Sequence, residues 1–200
     1  MADEVLEAPD EALTDDDERA ELDEESAEER ARRDAAMANI YQLGEPVLRT
    51  RALEVTRFDQ ELRDQIEWMR GIMDDALGVG LAATQVGILS RVLVYRVELE
   101  SPTAAIVNPR IAWRSDETEV SEEGCLSIPG IRVDVERPLH VRVDAVNESG
   151  DPLTIEASGL EARVLQHEID HLDGVLMLDR TSRAERREAM RAWRERQREE

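Results

Sequence analysis

Residues 165–174 read LQHEIDHLDG. His167 and His171 stand four apart, and an α-helix turns about 400° over four residues, so both imidazoles fall on one face roughly one turn apart. Glu168 is rotated by about 100° from His167 and reaches beside the pair rather than between its members. Leu160, Val164, Leu165, Ile169 and Leu172 surround the cluster at helical spacing, which predicts a buried helix over 160–172. Two imidazoles and two acids are costly to bury without partners. A shared divalent cation compensates for that cost, and H-E-x-x-H is the pattern in which two helical histidines hold a metal beside an acid that can act as a base. The rest of the chain must then pack around this helix and bring a third donor to it.

Outward from the helix the chain alternates between apolar runs and turn signals. Asp59 reads as an N-cap, and Leu62, Ile66, Met69 and Met73 follow at helical spacing to about Leu77. Residues 39–55, NIYQLGEPVLRTRALEV, read as extended and turn-rich around Gly44-Glu45-Pro46, and GVGLAATQ at 78–85 as a glycine-rich turn. Arg91–Val97 is expected to form a buried strand. Ala104–Arg114, Ile131–Val135 and Leu139–Val146 carry β-branched alternation, and Leu153–Ala157 is a shorter strand. A last helix is expected from about Ser182 to Arg198. Strands lying between helices without regular β-α alternation predict an α+β fold. Its mixed or antiparallel sheets would surround a central HExxH helix, with an N-terminal amphipathic helix and a C-terminal helix.

The 200 residues suffice for one domain with an appendage, and 41% hydrophobic content is ordinary for a globular chain. Charge is unevenly spread. Residues 1–36 hold 16 acids against 4 arginines and no aromatic residue, so they carry −12 of the formal −22. They are expected to form a disordered tail with a transient helix near 17–36, followed by a catalytic domain over 37–180 and an Arg/Glu-rich helix over 181–200. Met37 opens the segment that reads as folded, so translation starting there is an alternative to a solvating tail. The net charge argues against non-specific nucleic-acid binding by the whole chain. All 25 basic residues are arginine, from which no mechanism follows. One cysteine excludes an internal disulfide framework. No apolar run approaches the roughly 20 residues that span a bilayer, and no signal-peptide pattern opens the chain, so the expected location is the cytoplasm without a membrane contact.

The third donor is the open question. The extended zinc-protease pattern H-E-x-x-H-x-x-G-x-x-H finds Gly174 but places Met177 where a histidine is required. A protease that takes a glutamate from a following helix would have to use Glu185 or Glu188, on a strongly charged segment. His140 and Cys125 remain. Cys125 sits in EEGCLSIPG, between Gly124 and a turn at Pro129. A lone cysteine is commonly a small buried hydrophobe. A two-imidazole, one-thiolate site would leave a fourth position for water, and would suit Fe²⁺ as well as Zn²⁺.

Three segments, in order, resemble the signature motifs of the peptide deformylase family: GVGLAATQ at 78–85, EGCLS at 123–127 and QHEIDH at 166–171. GEPVLR at 44–49, VNP at 107–109 and SGL at 158–160 agree as well, so that the resemblance covers about residues 39–180. The acidic tail lies outside the family pattern. The helix after residue 180 resembles the C-terminal helix of a subgroup common in Gram-negative bacteria.

The resemblance implies that Cys125, His167 and His171 hold one divalent metal ion. Fe²⁺ is the expected ion, with Zn²⁺, Ni²⁺ or Co²⁺ as alternatives. Metal-bound water would be the nucleophile and Glu168 the general acid/base, with the Gln85 amide and the Leu126 N–H donating to the oxyanion. Gly80 would offer its backbone to the substrate peptide, and Val79, Leu126, Ile128, Val164 and the His167 ring would line a methionine pocket. Arg163 stands where some relatives carry an aliphatic residue, which puts the floor of that pocket in question. Asp170 would pair with Arg137. The implied substrate is the N-formyl-methionyl end of a nascent polypeptide, hydrolysed to formate and a free amine by a monomer. Seven arginines against five glutamates in the last 19 residues read as a solvated helix packing Met190 and Trp193 inward or, more sharply, as a contact for ribosomal RNA. An HExxH endoprotease and a catalytically silent ribosome-binding relative are the rival readings.

Overall fold

The run Val92-Leu93-Val94-Tyr95 has no polar face, which is the mark of a strand covered on both sides. The computed structural model describes residues 26–98 and 101–198. In it this run is β2 (Val92–Tyr95), the second strand of a five-stranded antiparallel sheet. The other strands of the sheet are β1 (Gly80–Ala82), β3 (Ala104–Arg114), β6 (His140–Val146) and β7 (Pro152–Ser158), in the order β1-β2-β3-β6-β7. Successive side chains of a strand point to opposite faces. Val92 and Val94 accordingly join a core with Ile66, Met69 and Met73 of helix α2 (Gln60–Asp75). Leu93 and Tyr95 join another with Leu165, Ile169 and Leu172 of helix α3 (Gly159–Leu172), the helix that carries the histidines.

A two-stranded sheet, β4 (Thr118–Gly124) against β5 (Arg132–Pro138), stands apart. Its apolar residues Val133 and Val135 meet Ile128, Ile131, Leu176 and Met177 in a third core. Helix α4 (Arg183–Arg196) closes that core with Ala189 and Trp193, both 6% exposed. The C-terminal helix is thus part of the folded body. The segment 39–43 links the two sheets to the loops that follow them: Tyr41 N–H donates to Gln85 O at 2.8 Å and Leu43 N–H to Ser127 O at 2.9 Å. In β3, Asn108 takes a positive φ of 53° and its amide both donates to and accepts from the Val55 backbone at 2.8 Å. A register shift beside Pro109 accommodates a residue that has no N–H for the ladder.

The α+β architecture, the helix at 60–75 and the strand at 104–114 agree with the sequence reading. Three elements differ. The stretch 78–85, read as a glycine-rich turn, contains strand β1, paired with β2, before its 3-10 turn. β4 was not expected: TEVSEEG is charged and mostly exposed, and its strand character comes from pairing with β5. The boundary expected at residue 36 falls inside helix α1 (Ala27–Met37). Ser26 Oγ accepts from Glu29 N–H at 3.1 Å while Glu29 Oε2 accepts from Ser26 N–H at 2.8 Å, a reciprocal cap that starts the helix. Ala36 and Ile40 bury into the α2 core, so the segment 26–36 is helical and its last turn is packed. The remainder of the expected tail, residues 1–25, lies outside the described residues.

Trp193→Ala should lower the unfolding free energy by about 3–5 kcal/mol, as for other buried aromatic truncations, measured by urea unfolding. A loss well under 1 kcal/mol would mean that α4 does not hold the hairpin core.

Candidate metal centre

Helix α3 supplies His167, Glu168 and His171, and Cys125 follows directly on β4. The Cys125 Sγ lies 3.2 Å from His171 Nε2, which lies 3.2 Å from His167 Nε2. All three donor atoms fall within 4.8 Å of one another, and they form the one such triad of Cys, His or acidic donors among the described residues. A tetrahedral ion with bonds of about 2.0–2.3 Å separates its ligand atoms by roughly 3.3–3.6 Å, so this spacing fits one divalent cation. The tautomer fits as well. His167 Nδ1 lies 3.0 Å from Glu123 Oε2, and with the proton on Nδ1 the Nε2 lone pair faces the cluster.

Glu123 was not singled out in the sequence, yet it organises the centre. It is 5% exposed, and its oxygens are saturated. Oε1 accepts from Arg137 Nε at 2.6 Å and Arg163 Nη1 at 2.8 Å; Oε2 accepts from Arg137 Nη2 at 2.9 Å and faces His167. Arg137 also donates through Nη1 to Asp170 Oδ2 at 2.8 Å, and Arg180 grips the same aspartate at 2.6 and 3.0 Å. The expected Asp170–Arg137 pair is therefore present, within a larger network. Burial alone would raise the Glu123 carboxyl, but His167 and Arg137 hold it well below the usual carboxylate range. Burial disfavours a charged His167, but the Cys125 sulfur and Glu123 outweigh it and push its pKa up. Burial and the charge of His167 push His171 well down. Burial pushes Glu168 up to about 7, with His167 opposing the rise and Glu123 adding to it. Glu168 Oε2 is buried and has no hydrogen-bond partner among the described residues.

Gln85 lies in a 3-10 turn, Ala83–Val86, directly after β1. Its Oε1 accepts from Ala82 N–H at 2.9 Å, which orients Nε2 toward Ser127 Oγ at 3.2 Å and Cys125 Sγ at 3.7 Å. Thr84 Oγ1 donates to His171 O at 3.1 Å and ties this turn to α3. The glycines that precede it have a close structural reason. A Cβ on Gly80 would stand 2.5 Å from Glu168 Oε1, and one on Gly78 would stand 2.9 Å from Leu126 Cδ1. Neither glycine has a positive φ, so a tight turn is not what requires them.

The other expected residues divide. Val79 is 52% exposed, and Val164, on the histidine helix itself, is buried. The Leu126 N–H makes no hydrogen bond within the described residues. Ile128 is corrected: it is 0% exposed and packed in the hairpin core with Val133 and Leu176, leaving no surface for a ligand. Met177 is likewise core at 1% exposure. His140 stands apart from the triad, its Nδ1 2.8 Å from Ser158 Oγ. Ser182 Oγ caps the start of α4 by accepting from Glu185 N–H, and Thr181 Oγ1 donates to the Glu185 carboxylate. Arg163 is 8% exposed, far more buried than a helix-surface arginine. The signal that could have pointed to Glu123 is the coincidence of an acid two residues before the cysteine with arginines inside apolar patterns at 137 and 163.

A cysteine sulfur and two imidazoles closing on one point, beside a buried acid and a fixed amide, place the chain among metalloenzymes. The family follows from comparison with known proteins. A family model described as polypeptide deformylase matches residues 37–187, and the chain belongs to that family of enzymes. It is 47% identical over 150 residues to the peptide deformylase of Thermotoga maritima, covering 75% of this chain and 90% of that one. It is 44% identical over 160 residues to that of a Parafrankia species, covering 80% and 87%. A crystal structure of the Legionella pneumophila peptide deformylase matches with a TM-score of 0.75 at 39% identity, covering 80% of this chain and 94% of that one. One from Synechococcus elongatus in complex with actinonin matches with a TM-score of 0.74 at 45% identity, covering 76% and 85%.

The raised Glu168 pKa has a consequence for stability in the cation-free protein. Between its ordinary value of 4.5 and about 7 the folded state keeps a proton that the unfolded chain has released, so stability falls as pH rises through that window. In the presence of a chelator, urea unfolding at about pH 5 and about pH 8 should show a larger decline for the wild type than for Glu168→Gln. Equal declines would show that burial does not perturb this carboxyl.

Proposed function

We propose that this chain is a deformylase that hydrolyses the N-formyl group from the N-terminal methionine of nascent polypeptides, releasing formate and a free α-amine. The observation that carries the reading is the convergence of Cys125 Sγ and the Nε2 atoms of His167 and His171 beside the unpartnered Glu168 Oε2. A divalent cation held by those three donors supplies acidity to a water and positive charge to the formyl oxygen. Fe²⁺ is the ion proposed, Zn²⁺, Ni²⁺ and Co²⁺ being compatible with the same donor set; the thiolate makes Cys125 open to oxidation.

Glu168 takes the proton of the attacking water. Burial raises its pKa above that of an exposed glutamate, which makes it a better acceptor for that proton. It then delivers the proton to the leaving nitrogen, whose C–N bond breaks as formate forms. Gln85, with its amide oxygen held by Ala82 N–H, directs Nε2 toward Ser127 Oγ and Cys125 Sγ, from where it would turn to the developing oxyanion, and the Leu126 N–H is a second donor. β1 is an edge strand of its sheet, so Gly80 and Val79 offer backbone to an extended substrate, with Val79, Val164 and the His167 ring against the methionine side chain.

The chain is proposed to act as a cytoplasmic monomer. Among the described residues no helix is long and apolar enough to cross a membrane. Contact with ribosomal RNA through α4 is supported by a groove lined by Arg183, Arg186, Arg187, Arg191 and Arg194, of which 183, 187 and 194 have no carboxylate partner among the described residues.

Formate release from formyl-Met-Ala-Ser by the metal-loaded protein tests the reading; cleavage of casein without formate release would support the endoprotease instead. Gln85→Leu should retain the cation and lose about 10²-fold in kcat. Glu168→Gln should bind the cation and lose at least about 10²-fold in turnover. Unimpaired turnover in either variant removes that residue from its assigned role.

A further inference from the structure

Arg163 is not needed for charge balance at Glu123 alone, because Arg137 already makes a two-pronged pair with that carboxylate. Its guanidinium instead spans the hairpin. Nη2 donates to Glu119 O on β4 at 2.8 Å, and Nη1 donates to Val135 O on β5 at 2.9 Å and to Glu123 Oε1 at 2.8 Å, with a longer contact of 3.5 Å to Ser121 O. Both strands of the two-stranded sheet are thereby held by one side chain of α3. Arg163 sits four residues before His167, on the same face of the helix, and both side chains end on the two oxygens of Glu123. Cys125 lies two residues beyond Glu123. It is the one member of the donor triad carried outside α3, so its place depends on how β4 lies along that helix.

The geometry points to Arg163 as a positioning residue that, by clamping β4 and β5 onto α3, sets Cys125 Sγ at ligand distance from His167 and His171. This rests on the deformylase reading of the triad and adds to it the residue that makes the triad close. A planar fork with several fixed donors is required, since one ammonium cannot reach Glu119 O, Val135 O and Glu123 together. Arg70 is a suitable control: it ties α2 to Thr103 O at 3.1 Å and pairs with Glu148, away from the triad.

The test uses the full-length protein loaded with Co²⁺, which reports its ligands optically. A thiolate ligand gives an intense sulfur-to-cobalt charge-transfer band, separate from the weaker ligand-field bands that imidazoles also produce. Wild type and R70M should both show the band. R163M should show it weakened or lost with the ligand-field bands kept, and a Co²⁺ dissociation constant raised by about 10–100-fold, as for other residues that orient metal ligands. R163K, which keeps the charge and guards against a variant that fails to fold, should show the same two changes. R163M or R163K with wild-type band and affinity overturns the inference while the triad stands. Equal losses in R70M and R163M reduce Arg163 to general stability and also overturn it. A wild-type protein without the charge-transfer band removes Cys125 from the cation, and the triad and the inference fall together.

Discussion

An ionised carboxylate can be buried only if its lone pairs are met by donors, and Glu123, at the end of β4, is buried with all of them met. Three of the four donors are guanidinium nitrogens and the fourth is the imidazole of His167. The donors come from β5 and α3, so satisfying one carboxylate forces three elements into contact. That contact carries Cys125, two residues on, to the histidines, and the same carboxylate sets which nitrogen of His167 faces them. Removing any donor would leave a buried charge partly unpaired, a much larger penalty than the loss of an exposed ion pair.

The layers around this network have separable tasks. The five-stranded sheet, covered by α2 on one face and α3 on the other, makes the histidine helix a rigid interior element and leaves β1 at an edge. The short sheet and α4 form a second core that carries the cysteine. Gly80 provides the niche in which the Glu168 carboxylate sits, and Ala82 and Thr84, two and four residues on, orient the Gln85 amide and anchor α3. One short stretch, 78–85, thus sets both the acid and the amide. At Gly80 it is this side-chain packing, rather than backbone conformation, that requires a glycine.

The parts of the fold that were legible share one trait: their pattern repeats along the chain. The period of Leu62, Ile66, Met69 and Met73 reports α2, and β-branched alternation reports β3 and β6, because each face meets a single environment. β4 has no such regularity. Its residues are charged and mostly exposed, and it is a strand because β5 pairs with it and Arg163 braces it. α1 was legible only as a transient helix near 17–36, for a related reason. Its only packed turn, around Ala36, lies at the end of an acidic run, although Ser26 and Glu29 do spell a capping box. Ile128 was misplaced because an apolar residue beside a motif reads the same whether it faces a ligand or a core; only packing tells the two apart.

By itself the amino-acid sequence determined the histidine face of α3, since a spacing of four residues on a helix is local geometry, and it determined the α+β class and the family through three ordered motifs. It also confined the choice of a third donor to a few residues. What only the tertiary structure decided is where Cys125 stops relative to His171, and that Glu123, Arg163 and Arg137 are what stop it there. Those residues are separated by up to 40 positions in the chain, and the cost of burying their charges depends on contacts that do not exist until the hairpin closes on the helix.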